Sequence, residues 1–182
     1  MNRVAIWNGG IVPVELRGKD GSATRGNTEF NPVFDLGLLS EEVVEFYTNL
    51  ALNDIVEMID AYCDMKFVWE GIKFKYGMIK YDYSNTENLN LLKENTEAYY
   101  AIRSYYDENE AKVYGCLIDY FKAERKETLL QAILDTHYIF VCEANELKGT
   151  AKDDKGKTIK GKNWIDPGLR LKELLNKKGI KC

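Results

Sequence analysis

No lysine or arginine stands between Gly26 and Met65, a stretch that carries nine aspartates and glutamates. The whole chain has 29 acids and 25 bases, so the gap is a local feature and not an average. A solvated acidic helix face interleaves Lys with Glu at four-residue spacing for support. The missing bases therefore argue for acids gathered to bind something. Other absences narrow the field. No apolar run approaches the ~20 residues needed to cross a bilayer. The opening MNRVAIWNGGIVPVELRGKDG lacks an apolar stretch followed by a small-residue cleavage site, so secretion is not expected and the cytoplasm is the expected compartment. The four cysteines, Cys63, Cys116, Cys142 and Cys182, form no CxxC pair and read as small core residues in a reducing compartment. The one histidine, His137 in ILDTHYIFV, lacks the companions of a zinc site or a catalytic triad and reads as a helix-surface or core residue.

What is present belongs to an ordinary globular chain. At 182 residues, with 45% hydrophobic and 30% charged residues, it suits one domain that buries roughly 70% of the surface its unfolded form exposes. A net charge of -4 and a pI near 5.2 argue against a general nucleic-acid binder, and no membrane partner is expected. The charge is uneven, because Lys148 to Lys181 holds eleven Lys or Arg against four acids.

Residues 1 to 36 are broken by Gly9, Gly10, Pro13, Gly18, Gly21, Gly26 and Pro32, which predicts an irregular arm with at most a strand at about Ile11 to Leu16. From Ser40 the pattern becomes helical, with Ser40 as N-cap and Glu41 and Glu42 in the first turn. Proline is absent from Val33 to Ile165, which suggests a bundle spanning 37 to 147. Helices are predicted at about 40–51, 54–76, 86–105, 109–124 and 126–147, joined by polar connectors such as YDYSNTEN and DENE. KGTAKDDKGKTIKGKN, with its three glycines, reads as a basic loop or hairpin within 148 to 182, and a last helix follows Pro167 at roughly 168–177. The predicted class is all-α.

Glu42 and Glu45 are three residues apart, as are Glu57 and Asp60, so each pair lies on one helix face. In one straight helix Glu45 and Glu57 would be ~18 Å apart along the axis. A break at Leu52-Asn53-Asp54 folds the second helix back and brings the pairs together. On that second helix Ile55, Val56, Met58, Ile59, Ala61, Tyr62, Cys63 and Met65 are apolar or nearly so, and only Asp54, Glu57, Asp60 and Asp64 form a polar stripe. Carboxylates crowded in a cleft repel one another and lose hydration unless a cation compensates. Oxygen ligands without His or Cys favour Mg2+, then Mn2+ or Ca2+. Flanking Glu41, Asp54 and Asp64 stand either as outer partners of these acids or as surface charge.

The pattern Glu41-Glu42-x-x-Glu45 followed by Glu57-x-x-Asp60 resembles the signature of the all-α NTP pyrophosphatases: MazG-like proteins, dimeric dUTPases and phosphoribosyl-ATP pyrophosphohydrolase. DAYCDMKFVWEG looks like the usual extension of their second helix. Downstream, EANELKGTAKDDKGKTIKGKNWIDPGL resembles the Asn/Lys segment and glycine-lysine hairpin of MazG-like proteins. The eleven residues between Glu45 and Glu57 are at or just below the family's shortest spacing and make the turn tight. The resemblance implies a Mg2+-dependent hydrolase that splits a nucleoside triphosphate into monophosphate and pyrophosphate, with dUTP or dCTP the first expectation. Glu42, Glu45, Glu57 and Asp60 would hold the metal, and Glu41 or Asp64 would orient or deprotonate the attacking water. Lys148, Lys157 and Lys160 would clamp phosphates, with Asn145 and Asn163 as hydrogen-bonding contacts. Trp164 would stack on a base or anchor the last helix. A homodimer or homotetramer is implied. Hydrolysis of phosphoribosyl-ATP is one alternative; a non-catalytic helical module binding Ca2+ or a basic partner is another.

Overall fold

The computed structural model describes residues 30–78, 86–148, 159–160 and 162–182. Of these, 84% are helical and none is in a strand, so the described chain is all-α. Among the described residues five helices follow in order: α1 Pro32–Leu52, α2 Ile55–Met78, α3 Thr86–Ala123, α4 Leu130–Glu146 and α5 Pro167–Lys177, with a 3-10 turn Glu127–Leu129 before α4. No helix among the described residues is long and apolar enough to cross a membrane.

Two boundaries differ from the sequence expectation. α1 begins eight residues before Ser40, because Asn31 caps it, accepting from the Phe34 N–H at 3.1 Å, and Pro32 supplies the helical φ at the first position. Ser40 is thus interior, Glu41 and Glu42 lie mid-helix, and Gly37 is carried inside α1 with open space where a Cβ would stand. The second difference is α3, a single helix of 38 residues running through DENE. Asp107 and Glu108 each have a basic residue four positions away, Arg103 and Lys112, and Asn109 turns its side-chain amide onto the Tyr105 carbonyl. Such four-residue pairing supports helix across poor helix formers. The expected strand at Ile11 to Leu16 and most of the basic hairpin lie outside the described residues.

α2 is the centre of the molecule and touches all four other helices. Its Ile55, Met58, Ile59, Cys63, Met65 and Ile72 are almost completely buried. Trp69 stacks between Tyr99 and Tyr106 of α3, with centroids at 5.7 and 4.9 Å, while Tyr76 stacks on Tyr99 at 4.2 Å. α1 makes the most extensive contact with α2. The chain reverses between them at Asn53, which adopts the left-handed conformation (φ 56°) that Asn tolerates. The Asp54 N–H then closes on the Asn49 carbonyl at 3.0 Å. At the far end Asp35 of α1 forms a buried ion pair with Lys75 of α2. One joint and one clamp therefore hold the two helices antiparallel over their whole length.

Candidate functional site

The polar stripe of α2 escapes the burial of its other faces: Asp54 is exposed, and Glu57, Asp60 and Asp64 are half-buried. Their carboxyls weigh on one another. Burial, then the charges of Asp60, Asp54, Glu45 and Asp166, lift Glu57 above the usual glutamate range. Asp64 is pushed up to about 7, by burial first and then by Asp60 and Glu45, against the opposing fields of Lys148 and Lys160. Glu45 of α1 thus acts on two acids of α2 that lie about two helical turns apart. The cause is the register. With the chain reversing at Asn53 and Asp35 facing Lys75, Glu45 comes level with the residues around Asp64, and Glu42 stands about a turn further along.

Glu45, Glu57, Asp60 and Asp64 therefore lie within range of one another's charges. Glu42 is half-buried and Glu41 exposed on α1. Asp54 has a structural duty, since its Oδ1 accepts the N–H groups of Val56 and Glu57 at 3.2 and 3.3 Å and caps α2. Asn145 is buried in the last turn of α4, where its Nδ2 donates to the Val141 carbonyl at 2.9 Å. Lys148 is half-buried just beyond α4. Lys160 is exposed, with its Nζ 3.7 Å from the centre of the Trp164 ring, and Asn163 is exposed in a turn. Lys157 lies outside the described residues.

Two participants had no assigned role in the sequence reading. His137 of α4 is completely buried, and its Nε2 lies 2.5 Å from Asp60 Oδ1. Against an ionised carboxylate, which can only accept, Nε2 is the donor. Nδ1 is buried and has no hydrogen-bonding partner among the described residues. The signal was available: His137 falls on the buried stripe of α4 with Ile133, Leu134 and Val141, where a polar ring requires a polar neighbour. Asp166 is the second. It caps α5 by accepting the Gly168 N–H at 2.9 Å, and its charge bears on Glu57. A Cβ built on Gly168 would sit 3.8 Å from Glu57 Oε1, so the start of α5 abuts the acidic stripe.

Comparisons of the chain with protein-family models, with curated proteins and with solved structures returned no match. Among the described residues no three His, Cys, Asp or Glu side chains already stand together closely enough to hold an ion. The donor set still suits a hard divalent cation: it offers oxygen atoms only, carries excess negative charge, and has carboxyls lifted by burial and then by their neighbours' charges, which a cation would offset.

Proposed function

We propose that this protein is a Mg2+-dependent nucleoside triphosphate pyrophosphohydrolase that releases a nucleoside monophosphate and pyrophosphate, acting on deoxynucleotides such as dUTP or dCTP. One observation carries the reading: acids from two antiparallel helices share one field with two lysines at the Asp64 end. A lone cation would be served by the acids; a cation that arrives with a polyphosphate needs both signs. Glu45, Glu57 and Asp60 would hold the ion, with Glu42 reaching in from the next turn of α1. Mn2+ would substitute. Bound there, the ion would neutralise phosphate charge and favour deprotonation of an attacking water.

The remaining work falls to the chain's own residues. Asp64, whose carboxyl titrates at about 7, is suited to accept a proton from water near neutral pH. Lys148 and Lys160 would hold the leaving pyrophosphate. The lysines lie by Asp64 and the acidic α5 cap by Glu57, so the phosphates would run toward Asp64 and the nucleoside toward Asp166. Self-association as a homodimer or homotetramer is supported by the outward face of α1, where Val33 and Val44 are 84% and 62% exposed. Light scattering that returns a monomer mass would remove that part of the proposal.

The decisive assay follows pyrophosphate release from purified protein with Mg2+, across deoxynucleotides, ribonucleotides and phosphoribosyl-ATP. Turnover of a deoxynucleotide that is lost with chelator, and lost in Glu45→Ala and Asp60→Ala while circular dichroism is unchanged, supports the proposal. Turnover of phosphoribosyl-ATP alone moves the substrate to that compound. Ion binding without any turnover leaves a non-catalytic module.

A further inference from the structure

We propose that His137 is a positioning residue that holds Asp60 in the orientation the divalent ion requires, an inference that rests on the ion site proposed above. Three observations meet at this residue. It is the chain's one histidine; it is completely buried on α4; and among the described residues its single hydrogen-bonding partner is Asp60 Oδ1, at 2.5 Å. Burying an imidazole costs free energy that a generic core position would avoid with Leu or Phe. The bond uses one oxygen of Asp60, Oδ1, and leaves Oδ2 outside it.

Asp has only two side-chain torsions. Fixing one oxygen against a ring that is itself packed in the core fixes the plane of the carboxylate and the direction of the other oxygen. Pairing of this kind, in which a buried ring orients a coordinating carboxylate, typically changes metal affinity by 10- to 100-fold when removed. It also joins α4 to the α1–α2 pair at the ion site, so that the cleft is held from three helices.

A purely structural role makes a different expectation. A buried polar pair kept only for packing would lower stability on removal and leave ion affinity alone. The test is Mn2+ binding without substrate, by electron paramagnetic resonance, in the whole protein and in two variants. His137→Phe keeps a ring and removes the donor; His137→Gln keeps an amide N–H near the place of Nε2. The expected result is about a 10- to 100-fold loss of Mn2+ affinity in His137→Phe, with His137→Gln retaining most of the parent's affinity. In an Asp60→Asn background His137→Phe should cause no additional loss. Wild-type affinity in His137→Phe, equal losses in both variants, or no Mn2+ binding by the parent overturns the proposal.

Should His137→Phe fail to fold, the parent protein answers alone. Its single imidazole gives one unambiguous set of 15N resonances, and titration with Mg2+ should shift the Nε2 signal in step with saturation of the site. A signal unmoved at saturation overturns the proposal. These readouts are independent of turnover. Ion binding that moves His137, with no pyrophosphate released from any substrate, would sink the enzymatic reading and leave the positioning role standing.

Discussion

Asp64 carries a testable burden in the ion-free protein. Its carboxyl is pushed up to about 7 from an ordinary 3.8, so between those values the folded chain binds a proton that the unfolded chain does not. Stability from this group is fully present below the ordinary value and is lost as pH rises through about 7. Glu57 is raised in the same direction. In chelator, the melting temperature should therefore rise by a few degrees between about pH 8 and about pH 5. Asp64→Asn should raise it at the alkaline end and flatten the profile; a parent protein whose melting temperature falls steadily over this range would contradict the assignment. The stripe was legible from composition, because between Ile55 and Met65 only Glu57, Asp60 and Asp64 interrupt an apolar run. Which acids share a field was not legible, since that depends on a register set by Asn53 at one end and by Asp35 with Lys75 at the other.

Among the elements, α1 and α2 depend on a clamp that no sequence pattern announced. Asp35 is lifted by burial, opposed by Lys75, and also accepts the Asn31 N–H at 3.2 Å. Removing one member of a buried pair leaves an uncompensated charge and costs about 3 to 5 kcal/mol. Lys75→Met should lower the urea midpoint accordingly, and the deficit should shrink on acidification as Asp35 takes up a proton. Asp35→Asn combined with Lys75→Met should recover most of the loss. If the double variant is as weak as the two single losses added together, the clamp is not a pair. Forty residues separate the partners, so only the folded hairpin reveals them. The start of α1 was legible in principle, because Asn31-Pro32 is a cap followed by a first-turn proline; reading Pro32 as a breaker, together with the glycines up to Gly26, placed the boundary too late. DENE misled for the opposite reason: four polar residues read as a connector, while their partners one turn away keep α3 unbroken.

For the whole molecule, the separation of an acidic front from a basic tail has a spatial meaning. α5 is drawn onto α4 by the Arg170–Glu143 ion pair, with Arg170 also over the Phe140 ring at 3.8 Å, and it buries Leu171 and Leu175 completely. Lys160, whose Nζ stands over the Trp164 ring shortly before α5, and Lys148, just beyond α4, both lie within range of the Asp64 charge. Both lysines hold the Asp64 carboxyl down. Replacing them with Gln should push it further up, so ion-free stability at about pH 8 should fall relative to the parent, and the difference should vanish near pH 4, where the carboxyl is protonated in the folded chain. The same double variant tests the proposed chemistry from the other side. Loss of two charged contacts to the pyrophosphate end should raise KM for the triphosphate about tenfold or more, with a weaker dependence of KM on salt. A stability change that follows this pH course without any change in KM would keep the electrostatic map and remove the lysines from the substrate.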